Sequence, residues 1–115
     1  MGSSNDIHTT VIATYRVAPG KEGDFVALLE RHHPTLLELG LVTPEKPVVY
    51  RNLDEEGRST FFEIFEWKDT KAPGVAHETP AVMAVWEAMG ALVEKRDCRP
   101  EFEFPHVERL ALSFA

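Results

Sequence analysis

The 115-residue sequence predicts one α+β domain, in which helices cover one face of an antiparallel sheet. Segments rich in β-branched and aromatic residues are interleaved with two segments in which apolar residues recur at helical spacing. Their order is β-α-β-β-α-β, the ferredoxin-like arrangement. No linker, repeat or low-complexity segment divides residues 1–115. Residues 1–6 precede the first strand, and we expect them to be flexible.

The first strand and the first helix follow from composition and spacing. Residues 7–17 are rich in Ile, Val, Thr and Tyr, which favours a strand. Residues 23–39 carry apolar side chains three and four positions apart, which predicts an amphipathic helix that ends before Gly40. Pro34 removes a backbone donor inside this helix, so we expect a kink or a break after His33.

Residues 46–53 and 59–67 form a predicted β-hairpin, joined by the polar, glycine-containing loop at 54–58. The second strand of this hairpin does not alternate cleanly between apolar and polar residues. One face carries Phe61, Glu63, Phe65 and Trp67, and the other carries Phe62, Ile64 and Glu66. Because helices cover only one face, the apolar residues of the other predict a homodimer through sheet-on-sheet packing.

The second helix has a clear predicted start. Thr79 is the candidate N-cap and Pro80 occupies the first helical position. The helix is expected to include residues 95–96, Lys-Arg, in its last turn, where cations are favoured. Residues 69–70, Asp-Thr, are candidate caps for a short helical turn that residues 73–74, Pro-Gly, should disturb.

The last strand is predicted within residues 100–110. Phe102 and Phe104 lie on one of its faces, and Pro105 confines the next position to a sheet edge or a bulge. The apolar tail at residues 110–115 has three possible arrangements: it crosses to a partner, closes the open end of the sheet, or frays.

Charge and composition exclude several partners. Twelve Lys and Arg against 19 Asp and Glu give a net charge of −7, which argues against nucleic acid or an anionic membrane as partner. No apolar run is long enough to span a bilayer, and the first residues lack the apolar core of a signal peptide. The single cysteine, Cys98, excludes an intrachain disulfide, so we expect a cytoplasmic protein.

Two segments carry a resemblance to a known family. In residues 17–41 a Gly-Lys turn leads into the first helix, and residues 61–69, FFEIFEWKD, end in Trp-x-Asp. His77 follows Trp67 by ten positions. These features resemble the antibiotic-biosynthesis-monooxygenase-like domains of the dimeric α/β-barrel superfamily, over roughly residues 7–108.

The resemblance implies a homodimer with a ligand cavity between the sheet and the helices of each subunit. It implies cofactor-free oxidation of a small aromatic or polyketide-like molecule, with neither metal nor flavin. Haem-degrading relatives carry an Asn on the first strand where this chain has Tyr15, which argues against haem. Many monooxygenase-like relatives carry a Glu where this chain has Phe65, so the alternative is a non-catalytic small-molecule-binding or stress-associated dimer.

His77 is the candidate catalytic residue. Its usual pKa lies near neutrality, which suits proton transfer with a phenol-like ligand. Alternatively, it hydrogen-bonds the turn before Thr79. Trp67, Trp86 and Tyr50 are expected to shape the pocket, although the helical spacing of Trp86 is also typical of ordinary core packing.

Three further residues are candidates for substrate binding. His32 lies on the apolar stripe of the first helix and is expected to face the cavity, whereas side chains at His32 and His33 point about 100° apart and do not suit one metal ion. Tyr15 on the first strand can bind a carbonyl group. Glu63 is a candidate acid, and it cannot act as a pair with Glu66 because the two point to opposite faces. Alternation alone leaves open which of the two lines the cavity and which lies at the dimer interface or the rim.

Overall fold

The computed structural model describes residues 9–114, which form an antiparallel sheet with helices on one face. The expectation for residues 1–6 and the first two positions of the predicted first strand lie outside the described residues. The elements in chain order are β1 (Thr10–Val17), α1 (Glu22–Glu38), β2 (Val48–Leu53), β3 (Ser59–Glu66), α2 (Ala72–His77), α3 (Pro80–Gly90), β4 (Phe102–Glu103) and β5 (His106–Val107).

The sheet has the strand order β2-β3-β1-β4, and β5 also pairs with β1. Every pairing is antiparallel, with Tyr15 opposite Phe61 and Ile12 opposite Ile64 at the centre. This is the predicted ferredoxin-like α+β fold, and the prediction is confirmed. Among residues 9–114, no helix combines the length and apolarity that crossing a membrane requires.

Burial alternates along β3 between fully buried and half-buried side chains. The fully buried side faces the helices, and we call it the covered face of the sheet. Its core includes Phe25 of α1, which is wholly buried and packs its ring 4.9 Å from that of Tyr15 and 5.5 Å from that of Phe61. Helix and sheet are therefore joined by aromatic contacts.

The first helix runs unbroken from Glu22 to Glu38 with Pro34 inside it. Of the two expected outcomes, a kink or a break after His33, the break does not occur. Proline leaves the carbonyl four residues earlier without its helical donor. That residue is Glu30, and both it and Pro34 are exposed, so water can satisfy the carbonyl. The buried side of the helix is left intact, and its packing holds the helix together.

The region around residues 73–74 also differs from expectation. Asp69 Oδ1 accepts the backbone N–H groups of Lys71 and Ala72, both at 2.9 Å, and α2 begins there. Pro73 lies in the first turn of α2, where a missing N–H group costs nothing. The Pro-Gly pair therefore begins a helix instead of disturbing one.

The third helix begins at Pro80 as predicted but ends at Gly90, so residues 95–96 are not in its last turn. The chain after it pairs with the end of β1, where Glu94 N–H donates to Arg16 O at 2.8 Å. Arg96 is buried there and donates to the carbonyl of Val17 at 2.8 Å. The backbone carbonyls at the end of β1 need hydrogen-bond partners, and the residues that helical spacing had assigned to the helix provide them.

The predicted last strand is two short strands, β4 and β5, on either side of Pro105. Proline has no N–H for the ladder, which explains the interruption. Residues 108–114 have no regular structure, and Leu110, Leu112 and Phe114 are exposed. In the described chain the tail therefore does not close the open end of the sheet.

The other side of the sheet, which we call the open face, carries apolar side chains that none of the helices described above covers. On β2, Val48 and Tyr50 are exposed, and they pair with Ile64 and Phe62 of β3. Ile12 of β1 lies opposite Ile64 and extends the same surface. The sequence-based expectation that both faces of β3 are apolar matches this arrangement.

Candidate functional site

A cavity of about 410 Å³ lies between the covered face of the sheet, α2, α3 and the C-terminal strands. Most of its wall is apolar or aromatic, which is typical of small-molecule sites. The apolar side chains include Val11, Phe65, Trp67, Trp86, Phe102 and Phe104. The polar ones are Tyr15, His32, His77, Glu87 and His106.

One wall of the cavity is backed by a continuous chain of buried hydrogen bonds. Trp86 Nε1 donates to His32 Nε2 at 2.8 Å, and His32 Nδ1 lies 3.0 Å from Glu63 Oε1. Tyr15 Oη donates to the same carboxylate oxygen at 2.8 Å. Glu63 is fully buried and His32 is 3% exposed. The chain thus joins β1, α1, β3 and α3 beneath the cavity.

The proton positions in this chain follow from its donors and acceptors. An indole N–H can only donate, so His32 Nε2 must carry a lone pair. The neutral ring then holds its proton on Nδ1 and donates it to Glu63. Glu63 accepts hydrogen bonds from two neutral groups, Tyr15 and His32, which is the pattern expected of a carboxylate anion.

This environment determines both the protonation state and the orientation of Tyr15. Burial raises the pKa of the Tyr15 phenol well above its usual value, and the charge of Glu63 together with their hydrogen bond raises it further. The phenol therefore stays protonated at neutral pH. Its ring packs against Phe25 at 4.9 Å and against Phe104 at 5.7 Å between centroids, which fixes its orientation at the cavity wall.

His77 lies at the end of α2 and lines the mouth of the cavity. Its side chain is exposed, and its ring packs edge-on against Trp86 with centroids 4.8 Å apart. His77 thus touches the outer end of the hydrogen-bonded chain without belonging to it.

The two tryptophans differ in their polar contacts. Trp67 lies at the end of β3, is buried, and packs its ring 5.3 Å from that of Phe65. Within residues 9–114 its Nε1 has no hydrogen-bond partner, whereas the Nε1 of Trp86 donates to His32. Both tryptophans therefore line the cavity, but only Trp86 also orients a neighbouring side chain, that of His32.

Tyr50 is the predicted pocket residue that the structure separates from the cavity. It is 61% exposed and pairs with Phe62 on the open face of the sheet. Successive side chains of a strand point to opposite faces, and the register of β2 puts Tyr50 on the side away from the helices. The expectation that it shapes this pocket is therefore wrong.

His33, the neighbour of His32, is also buried but does not line the cavity. Burial lowers the pKa of His33 from its usual value, and this outweighs the opposing influence of Glu63. Its Nε2 has no hydrogen-bond partner in the described part of the chain. Residues 9–114 hold no cluster of three side chains suited to a metal ion.

Sequence reasoning missed the contribution of the C-terminal strands. Phe102, Phe104 and His106 line the cavity, and the shared face of the two phenylalanines was visible in the sequence. What was missing was the pairing of β4 and β5 with β1, which brings these side chains beside Tyr15. The links from His32 to Glu63 and to Trp86 span 31 and 54 positions along the chain and left no local signal.

The sequence matches no protein-family model and no curated protein. Its fold, in contrast, is shared with solved structures. A variant of SnoaB, a cofactor-independent oxygenase from Streptomyces nogalater, is 17% identical with a TM-score of 0.64, over 90% of this chain and 94% of that chain. An antibiotic biosynthesis monooxygenase with the same TM-score is 15% identical over 89% and 98% of the two chains.

A conserved protein from Methanosarcina mazei Go1 is also similar, with 19% identity and a TM-score of 0.58 over 86% of this chain and 91% of that chain. These likenesses extend over nearly the whole domain. The chain therefore has the fold of the antibiotic-biosynthesis-monooxygenase-like proteins, as the short motifs around Trp67 predicted.

Proposed function

We propose that this protein is a cofactor-independent monooxygenase that oxidises a small, electron-rich phenolic aromatic in the cavity on the covered face. The observation that carries the proposal is an apolar, aromatic cavity backed by the buried chain of Tyr15, Glu63, His32 and Trp86. The fold is shared with SnoaB, which is named as a cofactor-independent oxygenase.

The proposed reaction uses the reactivity of the substrate itself. The phenol loses a proton, and its carbanion-like anion passes one electron to dioxygen. Recombination forms a C–O bond to a peroxide at a carbon that still bears one hydrogen. The first proton returns to the outer peroxide oxygen, and the remaining C–H bond then breaks as its hydrogen leaves as a proton. The O–O bond breaks in the same step, so the carbon becomes a carbonyl group and the outer oxygen leaves as water. A CH₂ group and O₂ thus become a carbonyl group and H₂O. An apolar cavity favours this sequence because it keeps water away from the anion and the peroxide.

Aromatic side chains give the cavity its proposed preference for flat ligands. Trp67, Trp86 and Phe65 line it, and a ring between them would gain offset or edge-on contacts. His77 at the mouth is proposed to exchange protons with solvent, which its exposure and its contact with Trp86 support.

We also propose that the protein is a homodimer that buries the two open faces against each other. Val48 and Tyr50 are 48% and 61% exposed, and with Phe62 and Ile64 they form an apolar surface without cover among the described residues. Surfaces of this kind are commonly buried by a second copy. In such a dimer Tyr50 has a role in association and not in the pocket.

Oxygen consumption tests the proposed reaction. The purified protein is mixed with a hydroxylated anthrone, which has an oxidisable CH₂ group beside phenolic rings, in buffer with a metal chelator and no flavin. We expect protein-dependent uptake of one O₂ for each carbonyl group formed. Binding of the anthrone without oxygen uptake above the buffer rate would instead favour the non-catalytic small-molecule-binding protein.

A further inference from the structure

The Glu63 carboxylate is unusual because it is fully buried and no Arg or Lys side chain of residues 9–114 forms an ion pair with it. Its hydrogen-bond partners among residues 9–114 are the Tyr15 hydroxyl at 2.8 Å and His32 Nδ1 at 3.0 Å. Trp86 holds His32 in its neutral form, so the nearest ring is a dipole and not a counterion. The ion pairs of Arg16, Arg58 and Arg96 in residues 9–114 all lie outside this cluster.

A buried carboxylate without a cation is costly, because its lost hydration is only partly replaced by two neutral donors. Glu63 is therefore a buried proton acceptor that lies within hydrogen-bond distance of two groups that line the cavity. Its burial means that the proton must pass through a neighbour that reaches the cavity wall.

The two hydrogen-bond partners of Glu63, Tyr15 and His32, both line the cavity, but His32 cannot accept a proton from a ligand. Both ring nitrogens of His32 are already used, by Trp86 and by Glu63. Tyr15 uses only its proton, which it donates to Glu63, so the lone pairs of its oxygen can accept a hydrogen bond from a ligand. Tyr15 is thus the available route from the cavity to the carboxylate.

We propose that Tyr15 and Glu63 form a proton relay that takes the hydroxyl proton of a phenolic ligand bound in the cavity. The ligand O–H bond breaks as its proton bonds to Tyr15 Oη, while the former Tyr15 proton moves to Glu63. No electron is transferred in this step. The negative charge moves from Glu63 to the ligand oxygen, which then accepts a hydrogen bond from Tyr15. The relay rests on the proposed function, because it names the group that activates that substrate.

The raised pKa of Tyr15 makes the two proton movements concerted. Burial and the charge of Glu63 both oppose a tyrosinate, so Tyr15 releases its proton only as it receives another. His32 and Trp86 are positioning residues in this scheme. Trp86 fixes the tautomer of His32, and His32 fixes the carboxylate that faces Tyr15.

Absorption spectroscopy with para-nitrophenol tests the relay without requiring turnover. The phenol is added at a pH below its own pKa, where it is neutral in solution and its yellow phenolate band is absent. We expect the wild-type protein to bind it as the phenolate, with the proton retained by the protein and none released to a weakly buffered solution. Glu63→Gln and Tyr15→Phe should bind the phenol with loss of the phenolate band.

Matched controls are available in the chain. Glu66→Gln changes an acid on the same strand that faces the open side, and Tyr50→Phe changes the other tyrosine. Both should keep the phenolate band. Circular dichroism checks the fold of each variant, and Tyr15→Phe, which keeps the ring packed against Phe25, carries the test alone if Glu63→Gln does not fold.

The outcomes separate the relay from the proposed function. A phenol bound as the neutral form by the wild type overturns the relay and leaves the cavity as a phenol site. So does a phenolate band that survives Glu63→Gln, or one that only His77→Gln abolishes. Failure of the wild type to bind any phenol overturns the proposed ligand class, and the relay with it.

Discussion

The two faces of the sheet have different chemical character. The covered face buries Glu63 beneath an aromatic cavity, whereas the open face presents Tyr50, Phe62 and Ile64 as a simple apolar surface. Both faces include side chains of β3, which alternate along a single strand. Phe62 and Glu63 are adjacent in sequence but point to opposite faces. We therefore propose different roles for them: Phe62 in association and Glu63 in the chemistry of the cavity.

The comparison predicts that the faces respond differently to substitution. The largest expected effect is on the covered face, where Phe25 is wholly buried between Tyr15 and Phe61. Phe25→Ala should lower the free energy of unfolding by about 3–5 kcal/mol, measured by urea denaturation. Phe114→Ala, at a site that is 87% exposed, is the control and should have almost no effect. Equal effects at both positions would contradict the assignment of the core.

The two tyrosines sharpen the comparison for activity. Tyr15→Phe should reduce kcat for oxygen uptake about a hundredfold, because the proposed proton transfer loses its route. Tyr50→Phe should leave kcat unchanged, since Tyr50 lies on the open face. Steady-state oxygen-electrode assays compare the two. The reverse order of effects would show that the wrong face has been assigned to the chemistry.

A charge on the open face tests its proposed role in association. Ile64→Lys places an ammonium group at the centre of the apolar surface, opposite Ile12 and Val48. We expect dimer affinity to fall by at least about tenfold, because that charge would have to be desolvated in the interface. Light scattering across a protein dilution series measures this. A wild-type protein that is monomeric at micromolar concentration would remove the argument for sheet-on-sheet packing.

The smallest expected effect is on the pH dependence of stability and comes from His33. Its folded-state pKa is depressed by burial below the ordinary value of 6.5, so the unfolded chain takes up a proton more readily than the folded one. This contribution to stability is present above pH 6.5 and is lost progressively as the pH falls below it. His33→Gln should flatten that part of the profile, measured by urea denaturation above and below 6.5. An unchanged profile would contradict the assignment.

The sequence anticipated the fold well because its signals are local. Alternation along residues 59–67 placed Glu63 and Glu66 on opposite faces, and Thr79 with Pro80 marked the start of α3. Helical spacing overextended that helix because the carbonyls at the end of β1 pair with the chain after Gly90. Such tertiary competition has no local signature.

The candidate site was only partly foreseeable, for a related reason. Helical periodicity turned His32 and Trp86 toward the interior, whereas strand alternation put Glu63 and Glu66 on opposite faces without deciding which of them faces the cavity. In the structure His32, Trp86 and Glu63 are in one hydrogen-bonded chain. The pairing itself depends on how α1 and α3 cross the sheet, which periodicity does not specify. The prediction that Tyr50 shapes the pocket failed because the face on which Tyr50 lies depends on the register of β2 with β3. A shift of one residue in that register exchanges the two faces.

A crystal structure of the protein with a bound phenol would show directly whether the cavity on the covered face is the phenol site. We expect the aromatic ring inside this cavity, between Trp67 and Trp86, with its oxygen within hydrogen-bond distance of Tyr15 Oη. A phenol found on the open face, or a cavity whose ligand turns its oxygen away from Tyr15 toward solvent, would contradict this expectation.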